Sequence, residues 1–122
     1  MIPPPLAARR CKPCEGGAQP LPLSAAQVLL KDVSGWELVE GKRLRKTVVC
    51  QSFLGAVELI QQIAPIAEAE DHHPDLHLTN YKHLTIELST HAIGGLSEND
   101  FILAAKIDQL LSPEPRTPNP EP

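Results

Sequence analysis

The prolines of this 122-residue chain confine where a packed core can form. Six of the thirteen lie in residues 1–22 and five in residues 112–122, so only Pro65 and Pro74 fall between them. Because these ends are poor in backbone donors and apolar residues, we expect residues 1–22 to be a largely flexible segment and residues 112–122 to be a disordered tail. The folding unit is then residues 23–111, a length that suits one domain with a modest core.

Charge and hydropathy exclude several classes of partner. The formal net charge is −4, and the longest basic run, at residues 42–46, is too short for the basic face of a nucleic-acid binder. No apolar stretch approaches the ~20 residues that span a bilayer, and the N-terminus lacks the apolar region of a secretory signal. Three cysteines are too few for a disulfide framework. We therefore expect no direct nucleic-acid or membrane partner, and a cytoplasmic location, or a chloroplast or other organelle if a transit peptide has been removed.

Hydrophobic periodicity predicts three helices in the folding unit. In the first, apolar residues at helical spacing follow Ser24, a candidate N-cap. In the second, an apolar stripe extends from about Ser52 to Glu70. Pro65 lies inside this stripe, where it removes a backbone hydrogen bond and clashes with the preceding turn, so we expect a kink near residues 61–65.

The third helix is apolar over more than one face. It begins at the sequence SEND, where Ser97 as N-cap and Asp100 at the third helical position resemble a capping box. A helix with so wide an apolar arc needs cover on two sides. Because the folding unit is small, association would also bury more apolar surface, so we expect a homo-oligomer, either a dimer or a tetramer.

Four extended segments alternate with these helices. The sequence WELVEGKRLRKTVV predicts two strands around a turn at Glu40-Gly41, and DLHLT and YKHLTIELSTH follow the second helix. In the last segment Leu84, Ile86 and Leu88 point one way, while polar residues point the other way. The order α-β-β-α-β-β-α predicts a single small α+β domain, with an antiparallel four-stranded sheet and helices packed on one face.

All five histidines fall between residues 72 and 91, which suggests a metal site, an acid–base site without metal, or the polar face of a sheet. Zinc sites need histidine, cysteine and carboxylate ligands at recognisable spacings. There is no HExxH motif, and CKPC supplies only Cys11 and Cys14, with Cys50 remote from both. We therefore expect no metal site, and reduced, exposed thiols at CKPC, with a shared metal site or a redox pair as the less favoured alternatives.

Strand geometry predicts that His83 and His91 lie far apart. His83 and His91 share a face of the last predicted strand but are eight residues apart, roughly 26 Å at about 3.3 Å per residue. They cannot both join one site in one subunit, so His83 is expected to face solvent. For His77, surface exposure and contact with a substrate both stay open.

Three histidines are better placed for chemistry. His72 and His73 lie where the second helix ends, and Pro74 favours extended backbone at His73, so the two imidazoles can point in different directions. His91 ends the polar face just before Gly94-Gly95, where backbone can approach a ligand closely. If these segments are neighbours, the rings line one end of the sheet. Histidines on opposite sides of a small molecule suit an elimination, in which one atom loses a proton and another leaves protonated.

These residues also form a longer pattern that resembles the signature of the pterin-4a-carbinolamine dehydratases. The segments VSGWELVEGKRLRKTV and STHAIGGLSENDFILAAKID are similar to the same family, and CKPCEGG is similar to a segment of its plant-type members. The resemblance covers about residues 23–111. The motif itself is Glu68-x3-His72-His73-Pro74-x6-Tyr81-x9-His91-x8-Asp100.

The resemblance implies a hydro-lyase that removes water from a 4a-hydroxytetrahydropterin and gives a quinonoid dihydropterin, in tetrahydropterin recycling. It implies that His72 and His91 are the acid–base pair and that His73 holds the pterin. It also implies that no metal, nucleophile or organic cofactor is required. The motif and its surroundings suggest supporting roles for a further set of residues, which comprises Glu68, Pro74, Tyr81, Thr90 and Asp100. Tyr81 has an alternative role in the core.

A second class of function stays open. Relatives of this fold act as non-catalytic binding proteins, either as Rubisco assembly factors or as dimerisation cofactors of a transcription factor. Assembly-factor versions tend to have lost the histidine set, whereas this chain keeps it complete. The resemblance therefore favours the enzyme.

Overall fold

The computed structural model describes residues 4–12 and 19–111. The described chain forms an α+β domain in the predicted order α-β-β-α-β-β-α, which confirms the fold class. The sheet is antiparallel throughout, and its strands lie side by side in the order Glu37–Val39, Arg43–Val49, His83–Leu88 and Asp75–Thr79. Short 3-10 helices lie at Leu6–Ala8 and His91–Ile93. The main elements are α1 (Leu23–Leu30), β1 (Glu37–Val39), β2 (Arg43–Val49), α2 (Phe53–Glu70), β3 (Asp75–Thr79), β4 (His83–Leu88) and α3 (Glu98–Leu111).

The alternation of β4 sets the two faces of the sheet. Leu84, Ile86 and Leu88 are at most 1% exposed and form the centre of the core with the helices. The β1–β2 turn lies at Glu40 and Gly41, as predicted, and both residues have left-handed backbone with φ of 56° and 68°. The N–H of Lys42 donates to the carbonyl of Val39 at 2.9 Å and closes the turn, which leaves three residues, 40–42, between the paired strand ends.

The helix boundaries follow local hydrogen bonds. The second helix starts close to the predicted position: Ser52 is the N-cap of α2, and its hydroxyl accepts a hydrogen bond from the N–H of Gly55. The predicted N-cap of α1, Ser24, was wrong by two residues, because the N-cap is Pro22. The helix begins at Leu23, because the carbonyl of Pro22 already accepts the first helical bond from the N–H of Ala26. Pro65 lies inside α2, which runs without a break from Phe53 to Glu70, and the kink stays a prediction.

The third helix starts with the predicted capping box. The N–H of Ser97 donates to Asp100 Oδ2 at 3.0 Å, and the hydroxyl of Ser97 accepts from the N–H of Asn99 at 3.2 Å. Residues 99–105 and Ile107 are all buried, so the wide apolar arc is covered. These residues share the core with β2 and β4, and α3 also packs against the 3-10 helix Leu6–Ala8.

The described part of the N-terminal segment differs from the flexible segment that its prolines predicted. Leu6 is only 4% exposed, and the carbonyl of Ala7 accepts a hydrogen bond from Lys106 on α3. The prolines do not prevent packing, because the apolar and charged residues between them contact α3. Cys14 and the tail at 112–122 lie outside the described residues. Within the described ranges no helix is long and apolar enough to cross a membrane.

Candidate active site

An open cavity of about 370 Å³ lies where α2 ends, β4 ends and α3 begins. Its wall includes all three histidines that the sequence placed in an acid–base site. Because these residues come from three separated segments, the sheet and α3 must be packed before the cavity exists. The lining residues discussed below are Lys12, His72, His73, Thr90, His91 and Asn99.

The two adjacent histidines diverge because the chain turns sharply between α2 and β3. Asp71 ends α2 in left-handed backbone, with φ of 53°, and the N–H of His72 still donates to the carbonyl of Ala67. Pro74 then directs the chain into β3. As a result the side chain of His72 is 11% exposed and points inward, whereas that of His73 is 54% exposed. The divergence predicted from the sequence is present.

His72 is paired with a fully buried carboxylate. Its Nε2 lies 2.6 Å from Asp100 Oδ1, and Asp100 is 0% exposed. The other oxygen, Oδ2, accepts from the hydroxyl of Thr90 at 2.8 Å and from the N–H of Ser97 at 3.0 Å. Three donors to one carboxylate offset the cost of burying it. A carboxylate can only accept a hydrogen bond, so Nε2 of His72 carries the imidazole hydrogen and donates it to Asp100. Nδ1 is then the nitrogen that can exchange a proton.

His73 has a separate and more exposed partner. Its Nε2 lies 2.8 Å from Oε2 of Glu68, one turn back on α2. Both side chains are more than half exposed, so this contact orients the ring and adds little stability. The predicted supporting roles of Glu68 and Thr90 therefore each have a specific contact, one with His73 and one with Asp100.

His91 does not lie on the last strand, which corrects the sequence prediction. β4 ends at Leu88, and His91 begins the short 3-10 helix. The reason is a local pairing of Thr90 with Gly95, whose two backbone hydrogen bonds close a loop after the strand. Gly94 has left-handed backbone, with φ of 69°, and a Cβ on Gly95 would come within 2.8 Å of Pro20. The two glycines thus shape the loop that carries the exposed His91 to the cavity.

Three other candidates are not brought into the cavity. His83 begins β4, at the end of the strand far from His91. His77 lies on the open face of the sheet, 3.5 Å from Glu87. Tyr81 is 56% exposed in the β3–β4 turn, which excludes the alternative role in the core and separates it from the cavity. In the part of the chain that the structure describes, no three histidine, cysteine, aspartate or glutamate residues cluster to hold a metal ion.

The cavity also contains residues that the sequence did not single out. Lys12 and Asn99 line it, although neither was proposed as a site residue. Asn99 is next to Asp100 inside the SEND motif, and this position is the sequence signal that could have identified it as a site residue. Lys12 gives no such signal, because the CKPC motif points to the chemistry of its thiols and not to its lysine.

Comparison with known proteins gives a consistent result. The family model described as pterin 4 alpha carbinolamine dehydratase matches residues 19–110. A Dechloromonas aromatica protein named for the same family is 49% identical over 106 residues, which cover 87% of this chain and 93% of that protein. Pterin-4-alpha-carbinolamine dehydratase 2, mitochondrial, of Arabidopsis thaliana is 44% identical over 86% of this chain and 58% of its own length. The crystal structure of a transcriptional coactivator/pterin dehydratase from Brucella melitensis has a TM-score of 0.71 and 27% identity, and covers 77% of this chain and all of that chain.

Proposed function

This chain belongs to the pterin 4 alpha carbinolamine dehydratase family of hydro-lyases, and from that premise we propose that its cavity dehydrates a 4a-hydroxytetrahydropterin by proton transfer between histidines. The observation that carries the proposal is the His72–Asp100 pair in a cavity that His91 also lines. Two imidazoles at one cavity can serve as acid and base in the same reaction, because an imidazole can both donate and accept a proton.

The reaction needs two proton movements and no net change in protons. The bond between C4a and the hydroxyl oxygen breaks, and an imidazolium protonates that oxygen so that it leaves as water. The N5–H proton passes to the second imidazole, and its electron pair forms the N5=C4a bond of a quinonoid dihydropterin. Hydroxide is a poor leaving group, so assistance by a general acid is the useful contribution, typically 10²–10⁴-fold.

The contacts of His72 and His73, and the place of His91 in the cavity lining, support a division of roles. His72 and His91 are the acid–base pair, and Asp100 fixes the orientation of the His72 ring through the contact with Nε2. His73, held by Glu68, contacts the pterin at the exposed side of the cavity. Pro74 and Thr90 act indirectly, the first by turning the chain after His73 and the second through Asp100.

The test is a dehydration assay of the full chain with 4a-hydroxytetrahydropterin generated in situ. His72→Gln and His91→Gln are expected to lower turnover by roughly 10²–10⁴-fold, and His73→Ala mainly to raise KM. His83→Gln is the matched control, because His83 does not line the cavity, and it should behave as the parent. A parent chain no faster than buffer, with all variants alike, would end the enzymatic proposal.

A partner-binding role is a second candidate. The Brucella melitensis neighbour is titled a transcriptional coactivator as well as a pterin dehydratase, so one chain of this fold is associated with both roles. For this chain the histidine variants distinguish a partner-binding role from dehydratase activity. Binding of a protein partner that survives His72→Gln, in a chain that has lost turnover, would establish the second role independently of the first.

We also propose that the chain forms a homo-oligomer and works in tetrahydropterin recycling. The wide apolar arc of α3 is now partly explained by the cover from Leu6–Ala8. Large apolar side chains nevertheless stay exposed at one end of the sheet, where Val49, Phe53, Leu54 and Tyr81 are each more than half exposed. The cytoplasmic location stays a prediction, and the name of the Arabidopsis relative places that protein in the mitochondrion.

A further inference from the structure

Residues Arg9–Lys12, here named the N-terminal strap, contact two helix ends at once. One is the C-terminal end of α2, which leads directly into His72, and the other is the first turn of α3, which carries Asp100. The strap therefore touches both of the elements that the His72–Asp100 pair connects.

On α3 the strap is held through a buried side chain. Oδ1 of Asn99 accepts from the N–H of Lys12 at 3.0 Å, and Nδ2 of Asn99 donates to the carbonyl of Lys12 at 2.6 Å. Arg9 also forms an ion pair with Glu98 at the start of the helix. Because Asn99 bonds both backbone groups of Lys12, it fixes the path of the strap backbone and not merely a side chain.

On α2 the strap is held through Glu70, whose side chain is only 6% exposed. Its Oε1 accepts from the N–H of Cys11 at 2.7 Å, and its Oε2 lies 2.9 Å from Nε of Arg10 and 3.7 Å from Nζ of Lys106. Burial acts to raise the pKa of Glu70. The hydrogen bond from Cys11 and the charges of Lys106 and Arg10 outweigh burial, so the pKa lies below its ordinary value of 4.5.

The charges show why these two helix ends need a third element. Glu70 is an anion at the C-terminal end of α2, where the helix dipole disfavours negative charge. Asp100 and Glu98 add two more carboxylates at the facing end of α3. Without the strap, the buried Glu70 would lose the Cys11 donor and the Arg10 cation and would keep Lys106 as its cation. Mutual repulsion of the carboxylates would then favour separation of the helix ends.

We propose that the N-terminal strap is a positioning element of the dehydratase site. By joining Glu70 to Asn99 it holds the end of α2 against the start of α3, and so keeps His72 against Asp100. Lys12 lines the same cavity, so the strap also forms part of the wall that faces the substrate. The inference rests on the proposed function, because that proposal assigns proton transfer to His72.

The kinetic test compares two substitutions at one position in the full chain. Cys11→Pro removes the N–H that Glu70 accepts, whereas Cys11→Ala keeps it and is the matched control. We expect kcat of Cys11→Pro to fall about 10-fold or more below that of Cys11→Ala, with KM changed less than about 3-fold, because a misplaced proton-transfer group affects turnover more than binding. Equal kcat values would overturn the proposal. If Cys11→Pro does not fold, Arg10→Ala takes its place with the same comparison.

Cys11 itself reports whether the strap is bound in solution. Burial and the nearby Glu70 carboxylate raise the pKa of the Cys11 thiol from 9.0 to about 12. Thiolate at neutral pH is then about 10³-fold scarcer than in an unperturbed thiol. In the full chain with Cys14→Ser and Cys50→Ser, iodoacetamide should label Cys11 about 10³-fold more slowly than in the same chain in denaturant. Equal rates would show that the strap is not bound and would overturn the proposal.

A second readout that needs no substrate follows the imidazole of His72 directly. Its ¹⁵N chemical shifts report tautomer and hydrogen bonding, so they should change in Cys11→Pro and stay unchanged in Cys11→Ala. Unchanged shifts in both variants would overturn the positioning role. If the parent chain has no dehydratase activity, the proposed function fails, while labelling of Cys11 and the shifts of His72 still decide whether the strap positions the pair.

Discussion

Asp100 Oδ1 lies 2.6 Å from Nε2 of His72, while Oδ2 of the same carboxylate caps the first turn of α3 through the N–H of Ser97. One side chain therefore fixes the start of a helix and the orientation of an imidazole that lies 28 residues away in sequence. The relationship couples stability to the proposed chemistry, because a change at Asp100 must affect both. It also supplies the first prediction.

Asp100→Asn should lower turnover by roughly 10²-fold or more, because an amide can present a donor to His72 and so favour the other imidazole tautomer. It should also cost about 1–3 kcal/mol of unfolding free energy, since a neutral amide replaces a buried carboxylate that accepts three hydrogen bonds. Measurements of kcat and of urea unfolding on the same preparation check both effects.

Asp108→Asn is the control for that prediction. Asp108 is also on α3 and accepts from the N–H of Ser34, the indole of Trp36 and the ammonium of Lys46. It lies outside the cavity lining, so its loss should lower stability by a similar amount and leave turnover near that of the parent. Equal losses of turnover in the two variants would contradict a specific role for Asp100.

Stability should fall in acid partly through Glu70. Its pKa is below 4.5 in the folded chain, so folding favours the carboxylate, and this contribution is present above about pH 4.5. It is lost as pH falls through the lower folded pKa. Urea unfolding between pH 6 and pH 3 should therefore show a steeper loss in the parent than in Glu70→Gln, which cannot titrate. Parallel curves for the two chains would contradict the assignment.

The parts of the fold that were predicted correctly are those with local signals. Alternation in β4, the left-handed turn at Glu40-Gly41 and the capping box at Ser97 each depend on neighbours a few residues apart, and each is present. The candidate site was predicted largely from the His-His-Pro motif and the family resemblance, and its catalytic roles stay predictions. Thr90 and Asp100, which are in contact, both lie in the segment STHAIGGLSENDFILAAKID that carries part of this resemblance.

The N-terminal strap was not predicted, because its contacts are polar and distant in sequence. Arg9 meets Glu98 across 89 residues, and Cys11 meets Glu70 across 59, with no periodicity that could indicate either pair. Proline content suggested flexibility instead. The end of β4 was misplaced for a related reason: the alternation continues to His91, but the pairing of Thr90 with Gly95 ends the strand earlier.

Removal of the two ends of the chain should have unequal effects. Deletion of residues 112–122 is expected to leave stability and activity unchanged, as their proline content predicts. Deletion of residues 1–12 should lower stability, because burial of Leu6 alone contributes about 1.5–3 kcal/mol and the strap is lost as well. Thermal unfolding of both truncated chains beside the parent checks this. Unchanged stability without residues 1–12 would show that the segment does not pack in solution.

Sedimentation equilibrium at micromolar concentration should give a multiple of 13.3 kDa, corresponding to a dimer or a tetramer. If the exposed apolar end of the sheet takes part, Leu54→Lys should shift the distribution towards the monomer, since Leu54 is 70% exposed there. Val28→Lys is the control, because Val28 is 63% exposed on α1. A monomeric parent chain would contradict the prediction of an oligomer.

Dehydratase activity should survive exhaustive chelation, with no stoichiometric metal by elemental analysis. The reason lies in the direction of the imidazoles. Nε2 of His72 contacts Asp100, Nε2 of His73 contacts Glu68, and the two rings diverge, so they do not converge on one ion. The proposed proton transfer between His72 and His91 needs no Lewis acid. Chelator-treated and zinc-supplemented samples should give equal kcat values, and a tightly bound metal whose removal abolishes turnover would contradict this mechanism.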